Sequence, residues 1–375
     1  MQIPDGTYQD ALSKLEQFKC LAGDKYTRSR NYDFGPSHHQ NVSGLSPYLA
    51  RRVLLPHEVI KTVEEKNGKQ KCAKFCQEIY WQTYWRGWLE MRPQVWSDSQ
   101  DIKVDSSQSL KNAKNGTTGI DAFDFWVEEL KSTGYLHNHA RMWFASIWIH
   151  TLELDWKVGA DFFFNFLCDA DCASNTLSWR WVAGLHTKGK YYLADEENIK
   201  KYTKGRFDPK GLAKNPREIV DTAKLNEKIN PSTLNTSDPS CDLWIIFPDD
   251  YSVHRTFDLL NKKVIIINPN LAFPWESGVV TQFNNNILKD LLDKVPHAKI
   301  LNNLKDFSTY CEIGKVNSLC YIKPCVGIYH NLKTNILSHI DPKIKIYEVR
   351  RKWDNKYFVG ANKGFFSFKK KFNIT

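Results

Sequence analysis

The sequence predicts a multidomain α and α/β fold: an all-α N-terminal domain followed by a small doubly wound α/β domain. Three observations carry this. From about Ala11 to Tyr202 apolar residues recur at three-to-four spacing with short breaks, the period of helices that bury one face. Beyond residue 240 the pattern changes to short β-branched runs separated by helical stretches, the alternation of a parallel sheet. The length, 375 residues, exceeds what one small core serves and suits two domains. The boundaries read as 1–209 for the helical domain, 210–240 for a linker and 241–375 for a Rossmann-like α/β domain of unknown role.

Taken in order, VLLPHEVIKTVEEK, CAKFCQEIYWQTYWRGWLEM, IDAFDFWVEELKSTG, NHARMWFASIWIHTLEL and ADFFFNFLCDADCAS each predict a helix. Residues 96–116 are rich in Ser, Asn and Lys and predict a long surface loop. Residues 210–240 are also polar and read as a linker with one short helix. Five strands are then expected in LWIIF at 243–247, VIIIN at 264–268, AKIL at 298–301, CYIK at 320–323 and KIKIYEV at 343–349. No GxGxxG or GxxxxGK follows these runs, so no motif marks a nucleotide site there. GFFSFKKKF near the C-terminus reads either as an amphipathic strand or as a basic contact for a polyanion.

A net charge of +10 favours a polyanionic partner, although excess Lys also serves solubility or follows codon bias. Thirteen Trp suit stacking on planar rings or passing electrons; a large aromatic core accounts equally well for Trp143 and Trp148. Cys72/Cys76 and Cys168/Cys172 have i,i+4 helix spacing and read as buried thiols. No apolar run has signal or membrane length, so a cytoplasmic protein without membrane contact is expected.

One stretch is unlike ordinary packing. Between Thr117 and Trp181, TTGIDAFDFWVEELKSTGYLHNHARM and LELDWKVGADFFFNFLCDADCASNTLSWRW bring together Asn138, Arg141, Asp169, Asp171, Asn175, Trp156, Trp179 and Trp181. This stretch resembles the flavin-binding core of the DNA photolyase/cryptochrome family, and the resemblance runs from about Tyr26 to Phe207. The chain is similar to short prokaryotic photolyase-like proteins without the N-terminal antenna domain. Its C-terminal α/β unit is either a rearranged counterpart of that domain or an unrelated module.

The resemblance implies site residues. YTRSRN and VSGLSPYLARRVL resemble the flavin phosphate segment, which assigns cofactor contacts to Tyr26, Arg30, Val42, Ser43, Leu45 and Ser46. Taken alone, SGLSPYL is a plain helix start. QEIYWQTYW resembles the helix whose Glu and Trp, here Glu78 and Trp81, line the substrate cavity; Gln82 replaces a usual Arg. STGYLHNHARM places Asn138 beside flavin and substrate, Arg141 against Asp169, and Met142 against the substrate; His139 replaces another usual Arg. Asp169 and Asp171 match a D-x-D pair, Asn175 the residue facing flavin N5, and Trp181 a wall shared with Trp81. Trp179 and Trp156 match the inner and middle members of an electron-transfer chain, with Trp96, Trp85 or Trp88 as the outer one. Arg180 replaces a usual Gln, and Lys188 and Lys190 offer phosphate contacts.

The implied function is light-driven, FAD-dependent repair of cyclobutane pyrimidine dimers, with pyrimidine-dimer DNA, single strands preferred, as partner. The antenna chromophore is undefined, no metal is called for, and a monomer is expected. Some relatives hold an iron–sulfur cluster, but the spacing of Cys241, Cys311, Cys320 and Cys325 does not match that pattern. Asn138 and Met142 stand where (6-4) repair enzymes carry His, which points to cyclobutane dimers. The alternative is a cryptochrome-like blue-light photoreceptor, with a flavin-free binding module as a third reading.

Overall fold

A computed structural model describes residues 4–374 apart from 37, 188 and 224–227. The helical part comprises α1 (Tyr8–Lys19), α2 (Asp24–Ser29), α3 (Ser46–Ala50), α4 (Pro56–Asn67), α5 (Lys69–Glu90), α6 (Pro93–Ser99), α7 (Gln108–Asn115), α8 (Asp121–Thr133), α9 (Asn138–Ser146), α10 (Trp156–Phe166), α11 (Cys172–Val182) and α12 (Glu196–Tyr202). Five strands follow, β1 (Leu243–Ile246), β2 (Lys263–Ile267), β3 (Lys299–Leu301), β4 (Ser318–Ile322) and β5 (Lys345–Val349). They are interleaved with α13 (Gly278–Lys294), α14 (Lys305–Ile313) and α15 (Ile328–Leu337), and trailed by α16 (Lys352–Phe358) and α17 (Phe365–Lys371). The fold is therefore mixed, with a helical half and a parallel sheet, as the sequence predicts.

Local chemistry sets the helix boundaries. Asp155 caps α10 by accepting from the Lys157 amide at 2.9 Å, and Asp171 caps α11 by accepting from the Ser174 amide at 2.8 Å. Pro56 opens α4, and Glu58 returns its carboxylate to the Leu55 amide at 2.8 Å. The 22-residue α5 is the axis of the helical part and packs against α2, α4, α11 and α16. It tolerates one very close neighbour because Gly87 has no side chain: a Cβ there would lie 2.9 Å from Cα of Phe358, on α16.

The sheet has the order β3-β2-β1-β4-β5, all parallel, with Leu243–Ile246 in register with Lys263–Ile266. β1 is buried throughout, which explains its unbroken apolar run. The order reverses between β1 and β4, so the carboxyl ends of those two strands flank the switch point. These ends face the helical part, where Arg52 bonds Asp250 at 3.2 Å and Asp354 at 2.7 Å, and Lys323 pairs with Glu90 at 2.8 Å.

Four expectations need correction. ADFFFNFLCDADCAS is not one helix: α10 ends at Phe166, and residues 167–171 break the helix before Asp171 caps α11 at Cys172. Residues 96–116 are not one loop: α6 buries Val95 and Trp96, and α7, capped by Ser107, buries Leu110 and Ala113. The short helix expected within 210–240 is absent among the described residues, and 224–227 lie outside them. GFFSFKKKF forms no strand: Phe365 and Phe368 sit inward on α17, which returns to pack on α5.

Candidate functional site

The candidate residues gather around the N-terminus of α11. Arg141, on α9, holds both oxygens of Asp169 at 3.0 and 2.9 Å and donates from Nε to the Leu136 carbonyl, the pairing that the resemblance implies. Two residues on, Asp171 faces elsewhere: Arg86 of α5 donates Nε to it at 2.6 Å and Nη2 to the Ala50 carbonyl at 2.7 Å. Two carboxylates two apart thus serve separate cations, and both are buried. One turn into α11, Asn175 donates its amide to the Ala160 carbonyl at 2.8 Å and lines a second small cavity with Trp96, Lys157 and Phe164.

Trp179, 2 % exposed, lies edge-on to Phe163 at 5.1 Å and to Trp148 at 6.2 Å. Trp156 is buried beneath the Arg180 guanidinium at 5.8 Å, and Arg180 is held by Asp221 at 3.0 Å and 2.6 Å. Trp96 has Phe164 as its ring neighbour, and Trp85 and Trp88 both pack on His186. Burial pushes the His186 imidazole down to about 4, so it stays neutral among those rings.

Other candidates lie apart from this centre. Tyr26 is buried between Phe18 and Phe75, so its hydroxyl is enclosed, and burial raises its pKa. Arg30 pairs with Glu78 at 3.2 Å, and Glu78 also meets Lys74 at 3.2 Å. Ser43 accepts from the Leu45 amide at 3.3 Å, Leu45 is buried, Val42 packs at the edge of the N-terminal core, and Ser46 opens the five-residue α3. Asn138 is exposed at the start of α9, with its amide 3.9 Å from the Met142 sulfur.

The two indoles assigned to one wall, Trp81 and Trp181, each have a ring partner of their own. Trp81 stacks on Phe365 of α17 with centroids 3.7 Å apart and planes at 11°, while Trp181 stacks on Tyr192 at 5.4 Å. The physical reason is the returning C-terminal helix, which offers Trp81 an aromatic face from the same chain. Lys188 lies outside the described residues.

Sequence reasoning missed two features. Asp33, His39 and Glu129 form a buried cluster, the one group of three possible metal ligands among the described residues. His39 Nε2 lies 2.9 Å from Glu129, Asp33 accepts from the Trp126 indole at 3.1 Å, and Arg206 pairs with Asp33 at 2.9 Å. These bonds tie the 31–41 loop to α8. The second feature is a crevice between α11 and the switch point of the sheet, lined by Arg51, Arg86, Asp171, Cys172, Asp249, Cys325, Gly327 and Tyr329. Burial pushes the Asp249 carboxyl up to about 6, against the pull of Arg52 and Arg86.

The donor chemistry of this crevice suits a flavin dinucleotide: paired carboxylates, a capped helix N-terminus and buried guanidinium groups. The space does not. The crevice encloses about 20 Å³, roughly one water, whereas cofactor pockets run to about 300–1,000 Å³. At its wall Gly327 approaches Cys172 so closely that a Cβ there would lie 2.4 Å from the sulfur.

Residues 75–212 match the family model described as the FAD binding domain of DNA photolyase. The deoxyribodipyrimidine photo-lyase of Streptomyces griseus is 31 % identical over 50 % of this chain and 46 % of its own length; that of Agrobacterium fabrum is 33 % identical over 46 % of this chain and 37 % of its own. The chain thus spans less than half the length of these curated relatives. Among solved structures, a bacterial class III photolyase from Agrobacterium tumefaciens is 29 % identical with a TM-score of 0.46, covering 52 % of this chain and 42 % of that one. A Synechocystis cryptochrome is 23 % identical with a TM-score of 0.46, covering 52 % of this chain and 43 % of that one. No helix among the described residues is long and apolar enough to cross a membrane. Over residues 75–212 the helical half of the chain is thus similar to the FAD binding domain of DNA photolyases.

Proposed function

We propose that this protein is a FAD-dependent photolyase that repairs cyclobutane pyrimidine dimers in DNA, with residues 1–209 as the flavin-binding unit and 241–375 as a unit that covers it. The observation that carries the reading is the arrangement at α11, where Arg141–Asp169, Arg86–Asp171 and Asn175 occur together within five residues of one helix start. When bound, FAD supplies absorption of blue light and one-electron transfer. Asp169 and Arg141 fix α9 against α11, Asp171 keeps a carboxylate at the crevice wall, and the aromatic packing around Trp179 excludes water from its ring. Asn138 and Met142 remain at the surface, where an extruded base pair can reach them.

One observation favours a photoreceptor instead. Phe365 covers Trp81, and Arg30 and Lys74 engage Glu78, so both residues assigned to the substrate cavity already have partners. Illuminating the FAD-loaded protein with an oligothymidine containing cyclobutane dimers separates the two. Repair predicts light-dependent recovery of thymine absorbance; photoreducible flavin without recovery supports the photoreceptor.

A further inference from the structure

Arg51 is a buried cation without an anion. The residue is 2 % exposed, Nη1 donates to the Tyr329 hydroxyl at 3.2 Å, and Nε and Nη2 have no partner among the described residues. A guanidinium stays charged at any pH the fold survives, and a buried charge with unmet donors strongly disfavours the state that contains it. The rings of Trp275 and Tyr329, 5.7 and 5.8 Å away, attract the charge without satisfying those two donors. Nearby carboxylates have partners of their own: Asp171 has Arg86, Asp249 accepts from the Cys325 amide, and Asp250 has Arg52 and Arg351. Arg52, the next residue and also buried, shows the contrast, because it meets two aspartates.

The surroundings identify the missing partner. Arg51 lines the crevice together with residues 170–173 and 325–329. Cys172 begins the 11-residue α11 and Ile328 the 10-residue α15, so two helix N-termini adjoin the space that the guanidinium lines. The same space lies at the carboxyl ends of β1 and β4, where the strand order reverses and doubly wound sheets bind ligands.

We infer that this crevice is a site for a phosphate-class anion, held by Nε and Nη2 of Arg51 against the N-termini of α11 and α15. The closed crevice has room for about one water, so the anion enters as the 325–329 segment withdraws from α11. Two sources offer the chemistry: the pyrophosphate of FAD, or a free nucleotide at the switch point. The inference does not rest on the flavin reading, because the unmatched cation calls for an anion in either case.

The test is thermal unfolding of the full chain in phosphate-free buffer at constant ionic strength, titrated with pyrophosphate, ADP, riboflavin and FAD, for wild type, Arg51→Met and Arg51→Lys. Wild type should show a saturable rise in Tm with pyrophosphate, absent in Arg51→Met and shifted to about tenfold higher concentration or more in Arg51→Lys. Without anion, Arg51→Met should be at least as stable as wild type, since an apolar side chain removes the unmatched charge. An Arg51-dependent response to FAD with none to riboflavin assigns the phosphate to the flavin. An Arg51-dependent response to ADP without FAD binding assigns it to a free nucleotide and counts against the flavin reading alone. No anion response in wild type, equal responses in wild type and Arg51→Met, or marked destabilisation of Arg51→Met without anion would each overturn the inference.

Discussion

At Asp171 one carboxylate both caps α11 and holds Arg86, so a single side chain links helix start, core and crevice. Replacing Arg86 with Gln leaves that carboxylate buried without its cation and should cost about 3–5 kcal/mol in chemical denaturation. Arg141→Gln should cost less, because the Arg141 side chain is 23 % exposed and water replaces part of what is lost. Asp249 gives a pH signature. Its folded pKa is raised to about 6 from an ordinary value of 3.8, so its contribution is full below the ordinary value and lost as pH rises through about 6. The loss is at most about 3 kcal/mol and is reduced by the exposed edge of the residue. Asp249→Asn should therefore flatten the fall in stability between pH 4 and 6, as read from denaturation midpoints. Arg180 sits over Trp156, and a cation there disfavours a positive charge on the indole; Arg180→Gln should speed flavin photoreduction, measured by transient absorption.

Among elements, those whose pattern reflects a single buried face were legible in the sequence. The unbroken runs of β1 and β2 read as buried parallel strands, whereas the break at 167–171 was hidden by the apolar run FFFNFL on one side and resolved only by the Asp171 cap of α11 on the other. Residues 96–116 were misread because α6 and α7 are short and surrounded by polar residues, with a few apolar anchors such as Trp96 and Leu110 carrying the packing. The role of α17 was illegible for a different reason: its partner Trp81 lies nearly 300 residues earlier, and local pattern carries no record of that contact. Phe365→Ala should destabilise the fold by about 3–5 kcal/mol and shift Trp emission to the red as Trp81 meets water. A stable variant with unchanged emission would contradict the stacked arrangement.

For the whole molecule, the closed crevice is where the helical part and the sheet meet. The pair Arg141–Asp169 and the position of Asp171 were foreseeable from motif alone, whereas Arg51 was not, since nothing in LARRVL distinguishes the arginine that meets two aspartates from the one that meets none. Burial and pairing across elements decide that difference. The enclosed volume also requires the two parts to separate around α11 if FAD is to enter, so hydrogen exchange at residues 325–331 should rise on FAD binding. The most direct measurement is the absorption spectrum of the 375-residue chain before and after incubation with FAD, with Asp171→Ala as comparison. The account predicts a structured flavin spectrum at one FAD per chain that survives desalting and is lost in Asp171→Ala; a colourless protein that retains no FAD would contradict it.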